Sequence, residues 1–322
     1  MIRCIPPRGG INPNGLIVET APVAHGSSGG PVSFSNSSVS MIAPSTDNSA
    51  ADGFGPERIR QGCWRFLILL GFLALAFPSA VRSEEPRKPT LFLVGDSTVK
   101  NYTPGQVGWG TPLPSHFDGS RITVQNRALG GRSSRSYLRE GLWQKVLGAI
   151  KPGDFVMIQF GHNDNGPLAE GKARASLKGN GDESQEVTLA ETQKSEVVRS
   201  YGWDLRRYIA ETKQKGATPI VCSPVARNLW ENGQVIRARD TYSQWAREAA
   251  VQGGALFIDL NEVVSQRYEA LGSDKVQALF TSSDHTHTNR AGAELNAACV
   301  VDSLRRLDGC YLATYLAPNQ RP

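Results

Sequence analysis

The sequence predicts an α/β fold in which helices cover both faces of a parallel sheet. Three observations support this: short apolar runs recur along the chain, longer segments with helical spacing separate them, and the apolar runs lack the alternation of a strand with one wet face. Strands buried on both faces read as continuous apolar runs, and parallel strands need long crossover connections, usually helices. Ligands of such sheets bind at the carboxyl ends of the strands, so polar residues there are candidates for a site.

The individual elements follow from the length and spacing of the apolar residues. Three helices are predicted by spacing and stop signals, over 197–216, 241–251 and 289–307. The segment 166–196 is charged and poor in apolar residues, which predicts a long loop. Such a loop is either a binding loop over the site or a solvated insertion. Five apolar runs are predicted to be strands: 91–97, 121–126, 154–161, 218–224 and 255–260.

Composition and charge exclude several classes of function. The chain has 322 residues and a net charge of +5, and its basic residues are scattered, so no nucleic-acid partner is expected. This mild positive charge is compatible with a weak preference for an anionic polymer. The cysteines lack the spacing of a zinc site. Cys222 is expected to be a buried thiol, whereas Cys299 and Cys310 flank the end of the last predicted helix and are predicted to form a local disulfide in an oxidising compartment. The sequence gives no expectation of the oligomeric state.

The N-terminal part has a different character. Residues 1–60 are rich in Gly, Pro, Ser and Asn, which predicts a disordered tail. Residues 61–83 contain the short apolar run WRFLILLGFLALAFPSA, which ends in small residues and which Arg58, Arg60 and Arg65 precede or open. This is the pattern of a secretory signal peptide. The product would then be secreted or periplasmic. The alternative is an uncleaved signal anchor, which would be the protein's only membrane contact. Residues 84–322 are predicted to form one folded domain.

Four polar clusters stand at predicted strand ends or just before a helix. They read Gly-Asp-Ser-Thr (95–98), Gly-Gly-Arg-Ser-Ser (130–134), Gly-His-Asn-Asp (161–164) and Asp-His-Thr-His (284–287). Each cluster alone is a weak signal, because turns are often built from these residue types. Their combination, at the edge of the sheet where sites form, indicates one shared site.

These residue types suit acyl transfer. A serine hydroxyl becomes a nucleophile when a base takes its proton. Ser97 can be this nucleophile, His287 its base, and Asp284 the carboxylate that orients the imidazole. A tetrahedral intermediate also needs hydrogen-bond donors, which the backbone amides of Ser97 and Gly131 and the side chain of Asn163 can supply as an oxyanion hole.

The four clusters resemble the SGNH, or GDSL-like, hydrolase superfamily. The variants GDST, GRSSRSY, GHND and DHTHTNRAGAE, together with the stretch 201–228, are similar to the rhamnogalacturonan acetylesterases. The resemblance covers about 91–307. It implies a flavodoxin-like three-layer α/β/α sandwich, an esterase domain within 84–322, no cofactor, and removal of acetyl groups from a pectic polysaccharide. It assigns the triad to Ser97, Asp284 and His287, and the oxyanion hole to Ser97, Gly131 and Asn163.

Several alternatives remain open at this stage. Without the resemblance, His285 and His287 are nearly equal candidates for the base, and with Asp284 they are also candidates for metal ligands. Trp109 and Trp230 can stack on sugar rings or pack against helices. Acetylated xylan fits the residues as well as a pectic polymer does. A lipase, thioesterase or arylesterase of the same superfamily, and a catalytically inactive carbohydrate-binding protein, are the rival functions.

A further set of residues near the clusters is expected to have other roles. Asp96 is expected to stabilise the turn, and His162 and Asp164 to order the loop that presents Asn163. Arg132 and Arg135 could meet carboxylates of a substrate, but surface arginines are common, and neither is included among the predicted site residues.

Overall fold

A computed structural model describes residues 87–282 and 284–318. The expected tail of residues 1–60 and the expected signal segment of residues 61–83 lie outside the described residues. Within the described ranges, no helix combines the length and the apolar character needed to cross a membrane.

The described residues form a central sheet, two small hairpins and surrounding helices. The strands are β1 (Thr90–Gly95), β2 (Thr123–Asn126), β3 (Phe155–Gln159), β4 (Ser184–Thr188), β5 (Ser195–Arg199), β6 (Thr218–Cys222), β7 (Trp230–Glu231), β8 (Gln234–Val235) and β9 (Leu256–Ile258). The α-helices are α1 (Ser134–Arg139), α2 (Leu142–Ala149), α3 (Tyr201–Gln214), α4 (Tyr242–Gly253), α5 (Leu260–Leu271), α6 (Ser273–Gln277) and α7 (Arg290–Arg306). Short 3-10 helices cover Leu113–His116 and Tyr311–Tyr315.

The central sheet has the strand order β2-β1-β3-β6-β9, and every neighbouring pair is parallel. In this doubly wound order the chain moves to opposite sides of β1, and the crevice for a ligand opens at the carboxyl ends of the strands near that switch. Leu93, in the middle of the sheet, pairs with Asn126 of β2 and with Met157 of β3. The predicted α/β fold with a central parallel sheet is confirmed.

Successive residues of β1 face two separate apolar cores, because side chains along a strand alternate between its faces. Leu91 and Leu93 belong to the core that contains residues of α5 and α7. Phe92 and Val94 belong to the core that contains residues of α1, α2, α3 and α4. All four side chains are buried. The sheet therefore lies between two helical layers, as the three-layer expectation requires.

The prediction for the segment 166–196 is wrong in part, because the chain forms an antiparallel hairpin, β4–β5, where only a loop was expected. Val198 is fully buried and Val197 is exposed, which is the alternation of a strand with one wet face. The helix after it begins at Tyr201, since the Ser200 side chain accepts a hydrogen bond from the Trp203 N–H and caps the first turn. The helix predicted from residue 197 therefore starts four residues too early.

The expected disulfide between Cys299 and Cys310 is absent, and both residues are free thiols, as is Cys222. Bonded cysteines need Cα atoms about 4.4–6.8 Å apart. Because α7 continues from Cys299 to Arg306, Cys299 lies about 10 Å back from the helix end. Cys310 would have to fold back along the helix to reach it. Instead, Cys299 is buried in the core that contains residues of α5 and α7, and the half-buried Cys310 packs against that core.

The two-core arrangement predicts the effect of truncating β1. Leu93 has no exposed surface. Leu93→Ala should lower the free energy of unfolding by about 2–5 kcal/mol, because it removes buried apolar atoms and leaves a cavity. Val251→Ala, on the solvent side of α4, is the matched control and should change it by less than about 0.5 kcal/mol. Urea unfolding measures both. Equal effects of the two substitutions would contradict the assignment of Leu93 to the core.

Candidate active site

The turn that follows β1 holds Ser97 at the carboxyl edge of the sheet. Asp96 is fully buried, and one of its carboxylate oxygens accepts hydrogen bonds from the Thr98 backbone N–H at 2.8 Å and from the Thr98 hydroxyl at 2.7 Å. The buried Asp96 thus closes the turn beneath Ser97, whose own side chain remains partly exposed. This is the turn-stabilising position expected for Asp96.

A chain of hydrogen bonds joins Ser97 to His287 and Asp284. The Ser97 Oγ lies 2.8 Å from Nε2 of His287, and Nδ1 of the same ring lies 2.6 Å from Oδ2 of Asp284. The other oxygen of Asp284 accepts the backbone N–H groups of Thr286 and His287 at 2.7 and 2.9 Å. Partial burial raises the pKa of Asp284, but the hydrogen bonds from His287 and Thr286 outweigh it and hold that pKa below its ordinary value. Asp284 is therefore an ionised acceptor.

The backbone around residues 284–288 decides which histidine reaches the serine. The carbonyl of His285 accepts the N–H of Asn228 at 2.8 Å, and Thr288 forms two 2.8 Å hydrogen bonds with Val107. These anchors on either side leave His285 exposed and place His287 against Ser97. The structure therefore selects His287 as the candidate base over His285, two residues that the sequence alone left as nearly equal candidates.

Gln106 is a site residue that the sequence analysis missed. Its amide nitrogen donates to Oδ2 of Asp284 at 3.1 Å, and its amide oxygen accepts from Asn101 at 2.8 Å. The hydrogen bond to Asp284 adds a second donor to the oxygen that faces His287. Nothing in the local sequence marks this glutamine, because its partner stands 178 residues further along the chain.

The three donors predicted for an oxyanion hole lie on three neighbouring strand ends. Ser97 follows β1, Gly131 follows β2 and Asn163 follows β3. Within the described residues, the backbone N–H groups of Ser97 and Gly131 have no hydrogen-bond acceptor. The amide nitrogen of Asn163 donates to the Arg132 carbonyl at 2.9 Å, which leaves its second N–H for a ligand.

Two glycines shape the loops that carry these donors. Gly131 has φ +79° and Gly161 has φ +133°, which are conformations that residues with a Cβ rarely adopt. A Cβ at residue 161 would also lie 2.5 Å from Cγ of Pro224. The bend at Gly161 turns the chain directly after β3 and so places Asn163 at the edge of the sheet.

His162 and the buried Asp96 form a pair beneath the nucleophile turn. Its Nδ1 lies 3.3 Å from the second carboxylate oxygen of Asp96, and its Nε2 lies 3.0 Å from the carbonyl of Val225. The imidazole therefore lies between two oxygen atoms, one from the turn of Ser97 and one from the segment after β6. Burial alone would raise the pKa of Asp96, but His162 and Thr98 hold it below its ordinary value. The pair links the loop of Asn163 to the turn of Ser97.

A second buried cluster consists of two carboxyls and two serine hydroxyls. Asp164 accepts the Ser134 N–H at 3.0 Å and the hydroxyls of Ser134 and Ser176 at 2.5 and 2.9 Å. Oδ2 of Asp204 lies 3.1 and 3.4 Å from the oxygens of the same two hydroxyls. Burial raises the pKa of Asp164 to about 6, against the hydrogen bonds from both serines. Burial, followed by the neighbouring charge of Asp164, raises the pKa of Asp204 to about 7.

The remaining candidates from the sequence lie away from the triad or are already paired. Trp109 is buried and donates its indole N–H to Gln159, and Trp230 packs on the core, so both follow the packing alternative. Arg132 pairs with Glu140, and Arg135 is buried in a two-bond contact with Glu196. Over the described ranges, no three His, Cys, Asp or Glu side chains come close enough together to hold a metal ion.

The geometry defines a class of protein that can activate a serine for attack on an ester. A hydroxyl faces an imidazole, the imidazole faces a carboxylate, and free amide donors lie on the adjoining strand ends, which together satisfy the geometric requirements of acyl transfer. The comparisons with known proteins agree. The sequence model of the GDSL-like lipase/acylhydrolase family matches residues 93–295, and the chain belongs to this family. It is a carboxylic ester hydrolase.

Two relatives carry the name of a more specific activity. A rhamnogalacturonan acetylesterase of Emericella nidulans is 35% identical over 208 residues, which cover 65% of this chain and 81% of that protein. A probable rhamnogalacturonan acetylesterase of Bacillus subtilis is 33% identical over 223 residues, which cover 67% of this chain and 93% of that protein. The resemblance seen in the sequence motifs is thereby confirmed at the level of the whole domain.

A solved structure supports the fold. The crystal structure of the Bacillus subtilis protein YxiM is 28% identical and superposes with a TM-score of 0.56, covering 68% of this chain. This chain spans 57% of that longer protein.

The buried carboxyl cluster predicts how stability depends on pH. Both folded-state pKa values lie above the ordinary carboxyl value, so between about pH 4 and pH 7 the folded protein keeps protons that the unfolded chain has lost. This contribution to the free energy of unfolding therefore decreases as the pH rises through that range. Asp204→Asn removes one of the two groups, so its free energy of unfolding should decrease less than that of the wild type between pH 5 and pH 8.

Urea unfolding at the two pH values measures this difference. The exposed Asp240, changed in Asp240→Asn, is the matched control and should follow the wild type. Equal pH dependence in the wild type and in Asp204→Asn would refute the raised pKa of Asp204 in the folded protein.

Proposed function

We propose that the chain is a serine esterase that removes acetyl groups from a plant cell-wall polysaccharide. The observation that carries the mechanism is the unbroken hydrogen-bonded chain from Ser97 through His287 to Asp284, beside unoccupied donors on the neighbouring strand ends. In this proposal Ser97 is the nucleophile, His287 the general base and acid, and Asp284 the residue that holds the imidazole and stabilises its charge.

The reaction proceeds in two halves. The Ser97 oxygen attacks the acetyl carbonyl carbon while its proton passes to Nε2 of His287. The N–H groups of Ser97 and Gly131 and the amide of Asn163 stabilise the oxygen anion. Cleavage of the ester bond releases the sugar alcohol, which takes the proton from His287. Water then attacks the acetyl-enzyme, again with His287 as base, and acetate leaves as Ser97 recovers its proton.

The substrate proposal rests on the relatives. Two proteins that match most of the domain are named for action on rhamnogalacturonan, one of them as a probable enzyme. Rhamnogalacturonan is accordingly the polymer that we propose, with acetylated xylan as the alternative polysaccharide. The mild net charge of +5 suits an anionic polymer better than a neutral one.

We also propose that the protein is exported. A polymer in a plant cell wall is met outside the cell. The apolar run within residues 61–83, with Arg58, Arg60 and Arg65 before it or at its start, has the pattern of a secretory signal. An uncleaved segment would instead leave the same domain anchored at a membrane.

Acetate release tests the proposed activity directly. Acetylated rhamnogalacturonan and acetylated xylan are incubated with the wild type, with Ser97→Ala and with the surface control Ser120→Ala. We expect release from the pectic polymer, a loss of about 10⁴-fold or more in Ser97→Ala, and no loss in the control. Release from xylan alone would replace the proposed polymer. Undiminished release in Ser97→Ala would refute the nucleophile.

The oxyanion hole generates a separate expectation. Asn163→Ala removes one donor and should lower kcat for p-nitrophenyl acetate by about 10²–10³-fold, with a smaller effect on KM, because the donor acts on charge that develops in the transition state. Thermal unfolding of the same variant separates this from a general loss of structure, since the Asn163 amide also holds the Arg132 carbonyl. An unchanged kcat in a folded variant would exclude Asn163 from the site.

A further inference from the structure

A cavity of about 380 Å³ opens beside the loop that carries Asn163. Gly161 and His162 contribute to its lining on the side of the site, and the segment that follows β6 contributes Pro224, Val225 and Arg227. The lining combines apolar side chains with about as much polar surface, including two arginines, which suits a polar and charged ligand such as a sugar acid. Its position next to Asn163 makes it a place where the remainder of a bound substrate can lie.

Arg227 stands next to two of the loops that form the site, those of Asn163 and His287. The backbone N–H of its neighbour Asn228 donates to the His285 carbonyl at 2.8 Å, which fixes this segment against the loop of His287. The Nη2 atom of Arg227 lies 3.5 Å from the carbonyl of His162, at the long limit of a hydrogen bond. Its side chain is exposed. A guanidinium is thus presented to solvent at the border of the site.

The charge of Arg227 is not used within the protein. Among the described residues, no carboxylate lies within ion-pair distance of it. The other arginine of the cavity lining, Arg237, is by contrast held by Glu262 at 2.9 Å and by Glu269 at 2.6 Å. The cavity lining therefore contains Arg237, whose ion pairs stabilise the fold, and Arg227, whose charge is available to a ligand.

A second such arginine lies on the opposite side of Ser97. Arg174, from the segment before the β4–β5 hairpin, donates to the Gly131 carbonyl at 2.8 Å and has no carboxylate partner in the part of the chain that the structure describes. A Cβ at Gly130, the residue before Gly131, would lie 3.5 Å from Cβ of Ser97, so this loop is in contact with the nucleophile. The carboxyl edge of the sheet thus has an available positive charge on each side of the serine.

We propose that Arg227 binds a uronic acid carboxylate of the polymer chain that carries the acetyl group, with Arg174 as a second positive group for the chain on the far side of Ser97. This rests on the proposed function, because it takes an acetylated polysaccharide as the substrate. A guanidinium suits this role since its parallel N–H groups match the two oxygens of a carboxylate. A neutral xylan backbone offers no such partner, so the two arginines select polyuronates over neutral polymers.

Equilibrium binding, which needs no hydrolysis, tests this subsite. Calorimetry is used to titrate tetragalacturonic acid and, separately, the uncharged xylotetraose into the wild type, Arg227→Gln, Arg227→Lys and Arg121→Gln. Arg121 is the matched control, because it is an exposed arginine just before β2, at the amino edge of the sheet opposite the site. We expect the wild type to bind the uronate more tightly than the xylan fragment, and added salt to weaken this binding.

The substitutions give the decisive comparison. Arg227→Gln should weaken tetragalacturonate binding by about ten-fold, Arg227→Lys by less, and Arg121→Gln not measurably, in line with the worth of a charge-assisted hydrogen bond. Equal affinity of the wild type and Arg227→Gln, equal affinity for the two oligosaccharides, or no binding by the wild type would each overturn the proposal. Hydrolysis of p-nitrophenyl acetate that survives in Ser97→Ala would refute the proposed esterase mechanism instead, and would leave the binding result standing.

Discussion

The site depends on a buried polar network beneath the turn that carries Ser97. Asp96 holds Thr98 by two hydrogen bonds, and the Thr98 hydroxyl accepts the Gln159 amide at 2.6 Å. Gln159, at the end of β3, in turn accepts the indole N–H of Trp109. Every one of these groups is buried, so a broken link would leave a polar atom without water or a partner. The network therefore fixes the end of β1 relative to β3, on which the distance from Ser97 to Asn163 depends.

The fold could be predicted from the sequence where burial dictates the residue types. The central strands β1 and β3 are buried throughout and β6 nearly so, whereas the edge strands β2 and β9 are partly exposed. Each of the five coincides with a predicted apolar run, and only Thr90 of β1 lies outside its run. The β4–β5 hairpin could not be found in this way, because its exposed strands consist mainly of charged and polar residues. The helices α1, α2, α5 and α6 are short or weakly periodic, and tertiary packing, which local spacing does not reveal, stabilises them.

The residues of the candidate site likewise include some that the sequence identifies and some that it does not. Ser97, Gly131, Asn163 and His287 stand in short polar clusters at strand ends, which the sequence makes visible. The choice between His285 and His287 required the backbone contacts on either side of the loop, since two residues of the same type two positions apart have the same local signal. The sequence could not identify Gln106, Arg174 or Arg227 as site residues, for a further reason. Whether an arginine is paired depends on carboxylates distant in sequence. Arg237 is paired with Glu262 and Glu269, whereas Arg227, in the lining of the same cavity, has no carboxylate within ion-pair distance among the described residues.

The long insertion after β3 is part of the site rather than a separable attachment. Ser176 joins the carboxyl cluster whose Asp164 directly follows Asn163, and Arg174 holds the carbonyl of Gly131. Both contacts connect the insertion to loops that present oxyanion donors. A solvated insertion, the alternative left open by the sequence, would have no reason to place a serine in a fully buried cluster. The same segment therefore holds in place, through Ser176 and Arg174, the two loops that present Asn163 and Gly131.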